Sequence, residues 1–313
     1  MAVPSVTFVL PVFNGAPFLP SALASILAQT RTDWRAVVID DASSDNSREI
    51  MHSYRDARIA AVSNTKNQGL YPSLVRAIAC ASTPWISIVM QDDLLHEDYL
   101  ENMLSIACKH PSARAAWPAH HIVDEHGTLV KRGLATAKVE LIQPGIGPWS
   151  SALMRGCFWI ISGSLTRRDL LVGWPFRADL PHCGDYEWLL RVVRHAPMLH
   201  YEQPLLDIRE HPGQASAANL ATAVDVAEAY RVIHQNVARY PRDLSLAACT
   251  RLGWRRSRLL ARRSIAAAMR RRGWQAARLA AWSGCFLALP AQLAAARLST
   301  QGRLVRDQPG VDD

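Results

Sequence analysis

Residues 5–109 alternate between short aliphatic runs and stretches whose apolar residues recur at helical spacing, and nothing else in the chain restricts the fold as strongly. Val6–Leu10 is a β-rich run closed by Pro11, and Phe18–Gln29 places Leu19, Leu23, Ile26 and Leu27 on one helical face. Ala36–Ile39 is a second buried-type strand. It ends at Asp40-Asp41 and leads to a helix over 45–54, with Ser44 or Asp45 as N-cap. A strand over 59–62, a helix over 74–81, a strand over 85–90 ending at Gln91-Asp92-Asp93, and a helix over 97–109 complete the pattern. Such alternation predicts a parallel-rich α/β sheet with helices on both faces. Ligands in these sheets bind beyond the carboxyl ends of the strands, where Pro11, Asp40-Asp41 and Asp92-Asp93 fall.

Residues 110–216 mix short strand candidates (115–117, 128–131, 159–162) with a Pro- and Gly-rich loop at 144–148 and a helix over 185–195. They are expected to continue the sheet as its acceptor-facing half. From 217 onward the pattern is helical. Helices are expected over 218–240, 244–272 and 274–289, stopped by Pro241, Gly273 and Pro290.

The acid pairs are the first chemical signal. Carboxylates at strand ends are costly to bury unless they meet a cation or hydrogen-bond donors. One pair suits a hard divalent cation, Mg2+ or Mn2+, bound to a diphosphate. The other could accept from a nucleobase N–H or ribose hydroxyls, and either could instead favour the N-terminus of the following helix. Asp185, ahead of the apolar stretch Tyr186–Arg191, is a helix N-cap or a catalytic acid on this pattern alone.

The order of the pieces carries a resemblance. Val9-Leu10-Pro11-Val12-Phe13-Asn14, Asp40-Asp41-Ala42-Ser43-Ser44-Asp45, Asn67-Gln68-Gly69, Gln91-Asp92-Asp93, Gly184-Asp185-Tyr186-Glu187-Trp188-Leu189-Leu190-Arg191 and Arg209-Glu210-His211 follow one another at suitable spacings. Over roughly residues 3–216 the chain resembles the family 2 glycosyltransferases of bacterial type. The resemblance implies a GT-A nucleotide-diphospho-sugar transferase fold, a Rossmann-like mixed α/β sheet flanked by helices. Residues 1–216 would form the catalytic domain (1–109 nucleotide-sugar-binding, 110–216 acceptor-facing) and 217–313 a C-terminal helical extension.

The resemblance also implies roles. Pro11, Val12, Asn14, Asp40, Asp41, Asn67 and Gly69 would bind the nucleotide-sugar donor, with Asp92 on the ribose or assisting the metal. Asp93 and His211 would hold the divalent metal, and Asp185 would be the general base. The expected activity is inverting transfer of a single sugar, with UDP the expected nucleotide. The acceptor would be a glycan or lipid-linked hydroxyl in cell-surface polysaccharide assembly. Gln91 stands where many relatives have the first Asp of D-x-D, Gly184 where many have Glu, and Val75 and Arg76 where an Asn is common. Gln275–Leu279 nearly matches a polysaccharide-synthase signature, but Leu279 stands in place of its Trp and the match is read as chance.

Charge divides the chain. Residues 217–313 carry 16 arginines against 6 acids, whereas residues 1–216 are slightly acidic. Arg251, Arg255, Arg258 and Arg262 share a helix face, Arg270–Arg272 add a cluster, and Trp254, Trp274 and Trp282 are interspersed. Arginine with tryptophan on helices suits an anionic membrane surface, against the plainer reading of a solvated helix or a protein contact. Residues 280–296 lack charge but contain Pro290, which favours an interfacial or packed helix over a span. No nucleic-acid-binding motif accompanies the basic region, so nucleic acid is not an expected partner. The six cysteines show no metal or disulfide spacing. The start lacks a leader pattern, so a cytoplasmic protein, peripheral on the inner face of the membrane, is expected.

Two alternatives share these features. A sugar-1-phosphate nucleotidyltransferase needs a glycine-rich basic loop after the first strand, and Pro11–Gly15 offers one Gly and no cation. An inactive scaffold would keep the fold without the chemistry, yet Asp93 and Asp185 are both present.

Overall fold

A computed structural model of the protein describes residues 5–214, 224–269 and 273–299. The chain divides into two compact units, Met1–Pro148 with Phe158–His211, and Trp149–Cys157 with Pro212–Asp313.

The first unit is built on β1 (Val6–Val12), α1 (Leu19–Leu27), β2 (Trp34–Asp40), α2 (Ser47–Ser53), β3 (Ile59–Ser63), α3 (Leu70–Cys80), β4 (Trp85–Ile88), β5 (Leu94–Leu95) and α4 (Tyr99–Lys109). There follow β6 (Ala115–Val123), β7 (Leu129–Lys131), β8 (Val139–Ile142), β9 (Ser164–Arg167), α6 (Arg168–Gly173), α7 (Gly184–Val192) and β10 (Met198–Arg209), while α5 (Ile146–Arg155), between β8 and β9, belongs from Trp149 onward to the second unit. The sheet runs β3-β2-β1-β4-β9-β6-β10-β5, with β7 on β6 and β8 on β10. The first four strands are parallel, and β9 joins β4 antiparallel. This is the expected mixed α/β sheet.

β1 lies between β2 and β4, and every residue in it is buried. A strand covered on both faces needs the near-continuous apolar run that Val6–Val12 supplies. Phe8 packs edge-on against Trp34, with centroids 5.7 Å apart, and Leu19, Leu23 and Ile26 of α1 close over the same core.

Several local expectations are corrected. The run at 159–162 is not a strand. Trp159 packs against Trp188 with the rings tilted and their centroids 4.4 Å apart, and the chain enters β9 only after Gly163, whose φ of +67° turns it. The fourth strand stops at Ile88 rather than Met90. The loop at 144–148 gives way to α5, with Pro148 in its first turn, where a missing N–H costs nothing. The cap of α2 also differs: Asp45 Oδ1 accepts the N–H of Ser47, and neither Ser44 nor Asp45 is the N-cap.

In the second unit the helices are α8 (Val224–Arg239), α9 (Leu246–Met269), α10 (Gly273–Leu287) and α11 (Leu289–Ser299). Pro290 does not stop a helix. It sits in the first turn of α11, which it tolerates for the same reason as Pro148. α9 and α10 approach closely at Gly253, where an added Cβ would lie 2.4 Å from the Phe286 carbonyl oxygen. Arg270–Arg272 lie outside the described residues.

Candidate functional site

The ends of β2 and β4 carry the expected acids, and hydrogen bonds tie each end to the end of β1. At the end of β2, Asp40 and Asp41 are both buried. Asp40 Oδ1 accepts the Ser43 N–H at 3.0 Å, and Oδ2 pairs with Arg48 at 3.1 Å. Asp41 donates its N–H to the Val12 carbonyl at 2.7 Å, which ties β2 to the end of β1. Its Oδ1 accepts from Asn64 Nδ2 (2.6 Å) and the Gln68 N–H (2.9 Å), and its Oδ2 from the Gly69 N–H (2.8 Å). A carboxylate offers about four lone-pair sites, so these three leave one for an incoming donor group.

This arrangement sets the turn before α3. Gly69 adopts φ +90°, a conformation glycine takes without penalty, and opens the helix. Asn64 is buried beneath the turn, bridging Asp41 and Ser73, and Arg76 donates to its Oδ1. The loop after β1 is held as firmly. Asn14, at φ +49°, accepts the Ser44 N–H on its side-chain oxygen at 2.8 Å and donates its own N–H to the Ser43 hydroxyl at 3.0 Å. Ala42 lies in the left-handed region, at φ +59°.

Gln91 joins β4 to this loop. Its Oε1 accepts the Phe13 N–H at 2.8 Å, and its Nε2 donates to the Phe13 carbonyl at 3.2 Å. Beyond it, Asp93 is buried and its Oδ1 accepts the Arg209 N–H at 3.0 Å. Asp92 Oδ2 lies 3.2 Å from His211 Nε2. The His211 ring packs on Phe18 at 4.4 Å. Burial, reinforced by the Asp92 carboxylate, pushes the Asp93 carboxyl up to about 7. Two carboxylates and an imidazole are a donor set that oxygen-preferring divalent ions accept.

Asp185 sits in the first turn of α7, partly buried. Its N–H donates to the Tyr71 hydroxyl at 3.0 Å, that hydroxyl lies 3.4 Å from Oδ1, and Oδ1 accepts the Tyr186 N–H. Burial raises its carboxyl above the ordinary range, against the lowering effect of these bonds. Tyr71 lies two residues beyond Gly69, so Asp185, Tyr71, Gly69 and Asp41 form one connected edge, continued through Asn14, Phe13 and Gln91 to Asp92 and Asp93.

Of the residues singled out from sequence, Asn14, Asp40, Asp41, Gly69, Asp92, Asp93, Asp185 and His211 are brought into this network. Pro11 and Val12 are buried within β1, so only their backbone reaches its edge. Asn67 is exposed on the turn and makes no side-chain bond among the described residues. Tyr71, Asn64, Gln91 and Arg209 were not marked as site residues. Arg209 is buried, and its guanidinium bonds to the Asp92 and Glu125 carbonyls. Tyr71 and Asn64 fell outside the strand expected over 59–62 and the helix expected over 74–81 and carried no signal, whereas Arg209 stood within the Arg-Glu-His motif. Two further groups with metal-capable atoms occur among the described residues, His96/His121/Asp207 and Glu140/His200/Glu202. In the first, His121 Nδ1 accepts the Gly133 N–H at 3.0 Å, which leaves the proton on Nε2 and opposes a metal there.

Comparison with known proteins agrees with this geometry. Residues 7–167 match glycosyl transferase family 2. An uncharacterized glycosyltransferase of Rickettsia felis is 25% identical over 218 residues, covering 68% of this chain and 35% of its own length. Succinoglycan biosynthesis protein ExoO of Rhizobium meliloti is 31% identical over 105 residues, covering 34% of this chain and 30% of its own length. The chain thus spans about a third of these curated relatives. Among solved structures, S. aureus TarS 1–349 in complex with UDP aligns with a TM-score of 0.57 at 13% identity, over 97% of this chain and 95% of its own; this likeness is one of fold.

Proposed function

Given that this chain belongs to glycosyl transferase family 2, we propose that it transfers a single sugar from a nucleoside diphosphate sugar to an acceptor hydroxyl with inversion of the anomeric centre. The observation that carries the reading is the edge, made of hydrogen bonds and the short stretches of chain between them, on which Asp41, Asp92, Asp93 and Asp185 all lie.

On this reading the nucleoside lies over the ends of β1 and β2. The backbone of Pro11 and Val12, with Asn14 and Asn67, lines its pocket. Asp41, anchored by the Gln68 and Gly69 N–H groups, offers its remaining lone pair to a nucleobase or ribose donor, and Asp40 holds the 40–43 turn through Ser43 and Arg48. Asp93 and His211, with Asp92 between them, would hold a Mg2+ or Mn2+ ion. When bound, such an ion neutralises charge on the departing diphosphate. Asp93 is suited to the position because its buried carboxylate gains most from a neighbouring cation.

Asp185 takes the proton from the acceptor hydroxyl as that oxygen attacks the anomeric carbon opposite the leaving group. Its raised carboxyl strengthens it as a base. One displacement with no protein nucleophile inverts the centre. UDP is the proposed nucleotide, supported by TarS, whose fold is similar and which is described with UDP and with UDP-GlcNAc. Cell-surface polysaccharide or a lipid-linked glycan is the proposed acceptor, in keeping with ExoO. The cytoplasmic side of the membrane is the proposed place of action, where such donors are found.

The test is a screen of nucleotide sugars with Mn2+ and Mg2+, scoring thermal stabilisation and released nucleoside diphosphate. A cognate donor at a hundred times its Kd adds about 2.7 kcal/mol. Metal-dependent stabilisation by one donor, lost in Asp93→Ala, is expected. Absence of stabilisation by every donor–metal combination would overturn the reading.

A further inference from the structure

The second unit contains a cavity of about 580 Å3 lined by Arg155, Arg251, Arg255, Arg256, Arg258 and Arg262. Among the described residues no acid lines it. Arg155 comes from the end of α5 and the others from α9, so two separate elements aim guanidinium groups at one space. Arg251, Arg255, Arg258 and Arg262 make no side-chain hydrogen bond or ion pair among the described residues. Arg256 donates to the Leu153 carbonyl at 3.4 Å, and its Nε is buried without a partner. Like charges at i, i+4 destabilise a helix, so this concentration is unfavourable until an anion enters.

The same face of α9 is also apolar. Trp254 is 60% exposed, Leu259 51%, Ile265 62% and Met269 80%. At 100° per residue these four and the four unpaired arginines fall within one sector of the helix. A basic groove for nucleic acid has no use for exposed Ile and Met, whereas a helix lying in a headgroup layer uses both residue classes. The neighbouring stretch Trp274–Arg297 is long and apolar enough to cross a membrane by length and composition, with 22% of its most apolar window buried. The chain breaks near Ala288 between α10 and α11, which suits a surface position better than a straight span.

We propose that this cavity seats the phosphate groups of anionic lipids, with Trp254 and Leu259 entering the headgroup–acyl boundary beside it. Guanidinium groups give phosphate oxygens paired N–H donors, and six around one cavity match more than one phosphate. The inference is independent of the donor site, since none of these residues belongs to it.

The experiment is cosedimentation of the full chain with phosphatidylcholine vesicles, with and without phosphatidylglycerol. Binding that requires phosphatidylglycerol and weakens as salt is raised is expected. Arg255→Gln/Arg258→Gln should lower the partition coefficient roughly thirtyfold, at about fivefold per arginine. Trp254→Ala should lower it further while nucleotide-sugar turnover in solution is unchanged. Circular dichroism of each variant checks that it is folded, and the salt dependence of the unsubstituted protein stands whatever the variants do. Equal binding to both vesicles, or unaltered binding by the folded double variant, overturns the proposal. So does attachment that survives high salt, which would mean insertion of the apolar helices. Thermal stabilisation by inorganic pyrophosphate without vesicle binding would mean a soluble anion instead, and retention on RNA without lipid preference a nucleic acid; either overturns it.

Discussion

The Tyr71 hydroxyl accepts the backbone N–H of Asp185 at 3.0 Å and lies 3.4 Å from the same residue's Oδ1, so one phenol holds both the start of α7 and the carboxylate in its first turn. Gly184 makes room for that phenol, since a Cβ there would lie 2.6 Å from the Tyr71 ring. Tyr71→Phe removes a bond that lowers the Asp185 carboxyl, so the carboxyl should rise further. The acidic limb of the kcat profile should move to higher pH, with kcat at neutral pH down roughly fivefold, the worth of one hydrogen bond. The KM for the donor should hold. A pH–rate profile that shifts in neither limb would limit Tyr71 to packing.

Asp185 itself should trade stability for activity. Its carboxyl is raised above the ordinary value of 3.8, so the folded state binds that proton more tightly than the unfolded chain does. Stability from this group is therefore lost as pH rises from the unfolded value through the folded one, and the ionised form at neutral pH is a cost. Asp185→Asn should remove that cost and leave Tm unchanged or higher. Transfer should fall roughly a hundredfold to ten-thousandfold, the usual share of a general base. Donor binding by thermal shift should persist. A variant that transfers sugar at the original rate sinks the assignment.

How much of this was legible follows from what each segment has to satisfy. β1 and β2 are covered on both faces, and continuous aliphatic runs announce that. The carboxyl ends of β2 and β4 then locate Asp40, Asp41, Asp92 and Asp93 without further information. β10 was missed because Met198–Arg209 mixes His, Glu and Asp with Pro204, and its register against β6 shifts around that proline. No period-2 pattern survives such a break. α5 was hidden by Pro144, Gly145 and Pro148, which read as a loop. Tyr71 and Asn64 owe their positions to the tertiary contact with α7 and to the Asp41 turn, and a single sequence encodes neither contact locally.

Asp93 gives a metal-linked prediction. With its carboxyl at about 7, a proton and a cation compete for it in the physiological range. Metal must displace the proton below that value, so affinity should fall toward tenfold per pH unit on the acid side and level off above it. Mn2+ titrations followed by thermal shift at pH 6 and pH 8 measure this. Asp93→Asn should abolish the metal response and its pH dependence together, while the metal-free fold is as stable as before or more so. Affinity independent of pH would count against Asp93 as a ligand.

Gln91 does what a carboxylate cannot, donating to the Phe13 carbonyl as well as accepting its N–H. Gln91→Glu should keep the acceptor and place a charge against the carbonyl, raising the donor KM several-fold. Gly15→Ala should have a similar effect from the other side, because the new Cβ would fall 2.2 Å from Gln91 Oε1 and force the amide away. Overpacking of this kind costs about 1–3 kcal/mol, so Tm should fall as well. Steady-state kinetics with varied donor separates the two, since Gln91→Glu should change KM with little change in Tm.

Ala42 stores backbone strain beside the site. It holds φ +59°, a conformation that costs an L-residue with a Cβ roughly 1–2 kcal/mol, and it stands in the loop that Asp40, Asn14 and Ser43 pin from three directions. Ala42→Gly relieves the strain. Against this, glycine gives the unfolded chain extra freedom worth about 0.5–1 kcal/mol. The balance favours the variant by about 0.5–1 kcal/mol, which for a unit of this size is a Tm increase of roughly 1–4 °C. Asn14 supplies the control. It too has positive φ, at +49°, but its side-chain oxygen accepts the Ser44 N–H, so Asn14→Gly exchanges strain for a lost bond and should not gain. A melt in which Ala42→Gly gains nothing, or in which both variants gain alike, would show that backbone conformation is not what limits this loop.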